Sequence, residues 1–251
     1  MSDYRKYLRN QTLPGMSEME TDMMRQLPLP PMEKPIPEGA TTFPLVDPEA
    51  CARLNPAFFQ LLETRVSRRR FPTQSLTQDE LSALLWATQG VRGTLRNGLV
   101  TDRTVPSGGG MHPFETYLAI RRTEDLQPGL YRYVATRHRL LKVGEEPPEP
   151  EKQLGRVCNG QMFVDQAPVV FVWAVRPYRT EYRYGDDSLK DLLISVGHIC
   201  QNLYMACEAI GLGTCAILAY QQTGLDQYFG LDGNDEIPLY LAPVGHVEAE
   251  A

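Results

Sequence analysis

The stretch PVVFVWAV, Pro168 to Val175, is nearly continuous hydrophobic sequence, and no other part of the chain constrains the fold as much. A strand with one wet face alternates apolar and polar residues, whereas a run without alternation suits a central strand buried on both faces. A helix signal of similar strength follows. From about Leu189 to Ile210, Leu192, Leu193, Val196, Ile199, Cys200, Leu203, Tyr204 and Cys207 recur at spacings of three and four, giving a wide apolar stripe for a core or a dimer interface. His198 falls in the same helix and reads as a core histidine. Gly211 and Gly213 are expected to end it.

The remaining elements are shorter. Ala57, Phe58, Leu61 and Leu62 mark one face of a helix from Pro56 toward Arg65. Thr77 with Glu80 forms a capping box before Leu81, Leu84, Leu85 and Thr88, so a helix starts there and Gly90 stops it. Arg92 to Asp102 reads as a flexible segment. Strands are expected over Thr116–Ile120, Gly129–Val134, Arg139–Val143, Thr214–Ala219 and Leu239–Val244, with an acidic, proline-rich loop from Glu145 to Glu151. Strands alternate with helices only loosely, so the fold class is α+β rather than doubly wound. Residues 1–50, proline-rich from Leu27 to Pro48, read as an extended or partly disordered arm, and residues 51–251 as one domain.

Composition narrows the function. A formal charge of -6 argues against a phosphate-tracking surface and hence against nucleic acid as a partner. No apolar run is long enough to span a bilayer, and the first residues lack a signal-peptide pattern, so a cytoplasmic location is expected. Cys51, Cys158, Cys200, Cys207 and Cys215 form an odd, scattered set with no CxxC pair; they read as small buried hydrophobes, and no metal site is expected.

Three segments carry chemistry. RVSRRRF places Arg65, Ser67 and Arg69 on alternate positions; in an extended backbone they point one way and can bind a phosphate and a hydroxylated chain. Read alone, it is equally a solvated basic face. PSGGGMHP, from Pro106 to Pro113, includes Ser107, Gly108 and Gly110 and removes side chains where a flat ring or an anion can approach main-chain amides, although an ordinary turn reads the same. It is neither a P-loop nor GxGxxG. EAIGLGTCAILAY could lay Ile217, Leu218 and Ala219 against a planar group, or be a plain helix-to-strand joint.

Taken in order, Arg-x-Ser-x-Arg, LLWATQGV, PSGGGMHPFETYLAI, GHICQNLYMACEAIGLGT and a terminal PVGH resemble the nitroreductase-like flavoproteins, in particular the SagB/ThcOx-type dehydrogenase branch, over roughly residues 60–247. The resemblance implies a mostly antiparallel sheet flanked by helices, an intertwined homodimer, and FMN held by both subunits. It assigns phosphate and ribityl contacts to Arg65, Ser67 and Arg69, and the partner subunit's loop to Pro106, Ser107, Gly108 and Gly110. Main chain near the flavin ring falls to Ile217, Leu218 and Ala219, with Gln161 a looser polar match.

Two departures stand out. The chain ends PVGHVEAEA, without the basic residue that many nitroreductases carry there, and EYRYGDDSLK stands where azoline oxidases have a segment like WKYGERGYRY. Tyr184 matches that segment's tyrosine, and Arg183 replaces its lysine. The implied reaction oxidises thiazoline or oxazoline rings to thiazole or oxazole in a peptide or carrier-bound substrate, among other enzymes of a biosynthetic complex. Tyr184 is the catalytic base on this reading and Arg183 its electrostatic partner, since a guanidinium stays protonated. The alternatives are an NAD(P)H-dependent nitro or quinone reductase, and a non-catalytic flavoprotein-like scaffold.

Overall fold

The computed structural model describes residues 3–9, 55–95, 100–150 and 153–247. The chain forms two compact units, residues 11–64 and residues 1–10 with 65–251. In the first, the described part is helix α1, Pro56–Thr64, entered through Asn55, whose side-chain oxygen accepts the Phe58 N–H at 3.2 Å.

The larger unit is built around one antiparallel sheet. In chain order its elements are α2 (Gln78–Gln89), the hairpin strands β1 (Val91–Leu95) and β2 (Val100–Arg103), then β3 (Phe114–Ile120), β4 (Gly129–Val134) and β5 (Arg139–Gly144). There follow α3 (Leu154–Val157), α4 (Phe163–Gln166), β6 (Val169–Val175), α5 (Tyr178–Tyr184), α6 (Ser188–Ala209), β7 (Leu212–Thr214), α7 (Gln222–Phe229) and β8 (Ile237–His246). The sheet order is β5-β4-β3-β6-β8-β7, with every neighbouring pair antiparallel. The class is therefore α+β.

The hydrophobic run does occupy the centre. Every residue of β6 is buried, and its alternation divides two cores. Val169, Phe171, Trp173 and Val175 pack with Leu84 of α2 and with Leu192, Ile199 and Leu203 of α6. Val170, Val172 and Ala174 pack on the opposite face with Leu154, Val164 and Leu225 of α3, α4 and α7. Each valine, leucine, isoleucine or phenylalanine among them contributes about 1.5–3 kcal/mol when fully buried, so helices cover both faces of the strand. Thr77 and Glu80 make both hydrogen bonds of the capping box at the start of α2, and Gly90 closes it by donating to the Trp86 carbonyl.

Several expectations are corrected. Asp3–Leu8, inside the expected arm, is a 3-10 helix with Tyr4 and Leu8 buried; Arg5 pairs with Glu181, and Arg9 with Asp226 at 2.8 Å. Residues 10–54 lie outside the described residues. The segment from Arg92 to Asp102 is not irregular: β1 and β2 pair across it, with Arg92 bonded to Asp102 at 2.6 Å, and only 96–99 fall outside the description. The strand expected over Thr214–Ala219 sits earlier, at Leu212–Thr214, because Gly211 (φ 76) makes the turn at once; beyond it a single bridge joins Ile217 to Leu241. Gly213 thus lies in β7, pressed against Arg68 and Val247, instead of capping α6. Finally, Leu193 and His198 are exposed, because the buried stripe of α6 runs through Leu192, Ser195, Val196, Ile199 and Cys200.

Candidate functional site

Two clusters of the named residues form, at different stretches of α6. The first surrounds the glycines. Gly108–Gly110 makes one 3-10 turn between β2 and β3, with Gly109 at φ 59 and Gly110 at φ 70. Only glycine takes that conformation without strain, and here it also avoids collision. A Cβ on Gly109 would run into the Tyr184 hydroxyl and come within 2.7 Å of Arg183 Nη1; one on Gly108 would strike the Asp191 carboxylate.

The same neighbours hold the turn. The Gly108 N–H donates to Asp191 Oδ1 at 3.1 Å, and Arg183 Nη1 donates to the Gly109 carbonyl at 3.4 Å. Ser107 Oγ accepts the His112 N–H at 3.1 Å and lies 3.5 Å from the Ser195 hydroxyl. Arg183 also stacks on the Tyr184 ring, 5.2 Å from its centroid. Tyr184 and Arg183, distant in sequence from the glycines, thus meet them in space. The end of α5 supplies this pair, and its position is set by Glu181, whose carboxylate is bound by Tyr4 and Arg5. Arg5 holds that carboxyl below the usual range.

The second cluster centres on Tyr204. Its ring lies 5.4 Å from the Arg65 guanidinium, and its hydroxyl accepts the Ala216 N–H at 2.8 Å while bonding Ser67 Oγ at 2.9 Å. The Arg68 N–H donates to the Thr214 carbonyl at 2.9 Å, so the segment from Arg65 to Arg69 is fastened alongside β7. Arg69 is exposed. Farther along, Ile217 is buried and bonded to Leu241, whereas Leu218 and Ala219 are exposed. Gln161 Nε2 donates to the Ala219 carbonyl at 3.2 Å and to the Cys158 carbonyl at 3.0 Å. Ser195 and Tyr204 are nine residues apart on α6, roughly 13 Å along its axis, so the glycine turn and the Arg65 segment are separate patches of one chain.

The residues suit a flat, phosphate-tailed group. Arg65 lies over Tyr204 on the segment that also carries the exposed Arg69, Leu218 and Ala219 are exposed beyond β7, and in the other patch Gly110 leaves open space beside the turn. Among the described residues, no group of His, Cys, Asp or Glu is arranged to hold a metal ion. Cys158, Cys200, Cys207 and Cys215 are buried and free, and burial pushes the thiols of Cys158 and Cys200 up to about 12.

Sequence reasoning missed Tyr204 and Asp191 as organisers, since both are ordinary members of a helix until the fold sets Ser67 and Gly108 beside them. It also missed the clamp of Tyr4 and Arg5 on Glu181, which has no local signal at all.

Comparison with known proteins follows the same lines. Residues 62–246 match the Nitroreductase family. A protein of Methanocaldococcus jannaschii whose name places it among nitroreductases is 34% identical over 185 residues, 74% of this chain and 88% of that protein. The crystal structure of a Ralstonia eutropha protein, also named for nitroreductase, superposes with a TM-score of 0.61 at 26% identity, over 86% of this chain and 89% of the other. A chain of the Escherichia coli microcin synthetase McbBCD complex with truncated pro-MccB17 bound has a TM-score of 0.67 at 19% identity, covering 98% and 91%, a likeness of fold. With the family match spanning most of the chain and a relative above 30% identity, this chain belongs to the nitroreductase family.

Proposed function

We propose that the protein is an FMN-dependent dehydrogenase of the SagB/ThcOx type, a homodimer that oxidises a thiazoline or oxazoline ring in a peptide or carrier-bound substrate to the aromatic azole. The observation that carries this reading is the contact of the Tyr184 hydroxyl and the Arg183 guanidinium with Gly109. A proton acceptor and a fixed positive charge thereby border a backbone turn that is open at Gly110.

When bound, FMN supplies a two-electron acceptor. On the proposal, Arg65 and Arg69 of one subunit hold its phosphate and Ser67 its ribityl chain, while Gln161 and the main chain of Ile217, Leu218 and Ala219 line the ring. Pro106, Ser107, Gly108 and Gly110 close the site from the partner copy. As one ring carbon gave up a hydride to that acceptor, Tyr184, as phenolate, would take the proton from the neighbouring ring carbon, and Arg183 would steady the phenolate charge without exchanging a proton itself. The fold likeness to a chain from a complex that holds a pro-peptide supports a peptide substrate and companion enzymes.

The family's nitroreductase members support a second reading, reduction of nitro or quinone compounds by NAD(P)H. Incubating FMN-loaded protein with a thiazoline peptide separates the two. The dehydrogenase produces a loss of two hydrogens by mass, and Tyr184→Phe slows it by about 10²–10⁴-fold. Rapid reduction by NAD(P)H without any change in the peptide favours the reductase. An unchanged rate in the variant removes Tyr184 from the chemistry, and a protein inert to both reagents is a scaffold.

A further inference from the structure

Beside the glycine turn lies a cavity of about 550 Å³, walled by β2, β3, β4 and α5, that reaches Gly110 and Met111. Its charge is unbalanced. Arg103, Arg132 and Arg179 line it against a single lining carboxylate, Glu115. Glu115 is already engaged with Arg179 and lies 3.6 Å from Arg132. Arg103 meets only neutral oxygens: its Nε donates to Thr101 Oγ1 at 3.0 Å and its Nη1 to Gln89 Oε1 at 2.7 Å, with no carboxylate in ion-pair range among the described residues. The neighbouring Asp102 is held by Arg92 at 2.6 Å. His112, also in the wall, is pushed down to about 4 by burial and then by Arg103, so it adds no charge at neutral pH.

Burial and then the Arg179 charge lower Arg103 to about 10, and the Glu115 charge opposes them only in part. The wall is short of polar partners as well. Gln89 and Thr116 are buried, and Gln89 Nε2 and Thr116 Oγ1 have no hydrogen-bond partner. Phe114, Val134 and Ala135 supply apolar surface, and Tyr178 and Tyr182, both exposed, also line the opening. Guanidiniums from two strands and a helix, converging with surplus charge in a sheltered space, make planar recognition of an oxyanion favourable.

We propose that this cavity is a binding site for an oxyanion, the carboxylate or phosphate group of a small organic molecule whose apolar part rests against Phe114 and Val134. The site does not depend on the redox reading: it is formed by this chain's own residues, and no step of that chemistry passes through it. Its nearness to Gly110 lets a bound acid extend toward the glycine turn.

The test is calorimetric titration of FMN-saturated protein, so that any flavin phosphate site is filled, with phenyl phosphate and separately with benzoate. Saturable binding of at least one is expected, and the tighter of the two identifies the head group. Arg103→Gln should weaken it by about tenfold or more, the scale of one charged hydrogen bond. Glu115→Gln, which removes the competing carboxylate, should tighten it, a change that misfolding cannot imitate. Absence of saturable binding to wild type, or unchanged affinity in both variants, overturns the proposal. If Arg103→Gln fails to fold, the direction of change in Glu115→Gln decides alone.

Discussion

Acidification from pH 8 to pH 5 should cost the folded protein about 2 kcal/mol through His112 alone. The imidazole is 8% exposed; burial, and then the charge of Arg103, lower it from 6.5 to about 4. Asp102 and a hydrogen bond with the Thr101 backbone oppose the shift only in part. Between those two values the unfolded chain carries a proton that the folded chain refuses. Stability therefore falls as pH falls, beginning near 6.5 and ending near 4. At about 1.4 kcal/mol per pH unit, pH 5 lies far enough into that window for a loss of about 2 kcal/mol. Urea denaturation at the two pH values measures it. The control is His112→Asn, because the backbone there is left-handed at φ 44 and asparagine tolerates that region. Other carboxyls also titrate: Glu181 is lowered by its bonds to Arg5, and Glu236 is raised by burial. Both are common to wild type and variant, so they cancel in the comparison. Equal losses of stability in the two proteins between pH 8 and 5 would refute the assignment of a buried neutral imidazole.

Removing the N-terminal clamp should be more damaging. Arg5→Ala leaves the Glu181 carboxylate buried without its cation and held by the Tyr4 hydroxyl alone, and a loss of about 3 kcal/mol is expected in thermal or urea unfolding; an unchanged midpoint would show that the Arg5–Glu181 pair contributes nothing. Gly109→Ala forces a side chain into a left-handed turn and into Tyr184, so turnover should drop and FMN, over which the same turn is proposed to close, should bind more weakly; unchanged turnover and FMN affinity would count against a role for the turn. Thr77→Ala breaks the capping box of α2 and should cost about 1 kcal/mol by urea melt, with activity unaffected.

What could be read in the sequence was what is local or periodic. The two-sided burial of β6 shows as missing alternation, the boundaries of α2 are written in Thr77, Glu80 and Gly90, and α6 is a stripe of regular spacing. The hairpin of β1 and β2 leaves no sequence signal because its strands are short, largely solvent-facing and polar, and their order rests on pairing with each other. The exposure of His198 escaped because it falls one residue off the buried stripe. Within the site, the three segments were legible as glycine-rich or arginine-rich runs, but their partners were not. That Tyr184 touches Gly109, that Tyr204 fastens Ser67 to Ala216, and that three arginines from separate elements face one cavity follow only from the tertiary fold.

A flavin gripped jointly by two copies of the chain would colour the protein and hold it as a dimer, so the most direct measurement is the visible absorption spectrum and sedimentation of the purified protein. A yellow dimer carrying FMN near one equivalent per chain, weakened by Arg69→Gln, is the predicted result. A colourless monomer that takes up no added FMN would contradict it.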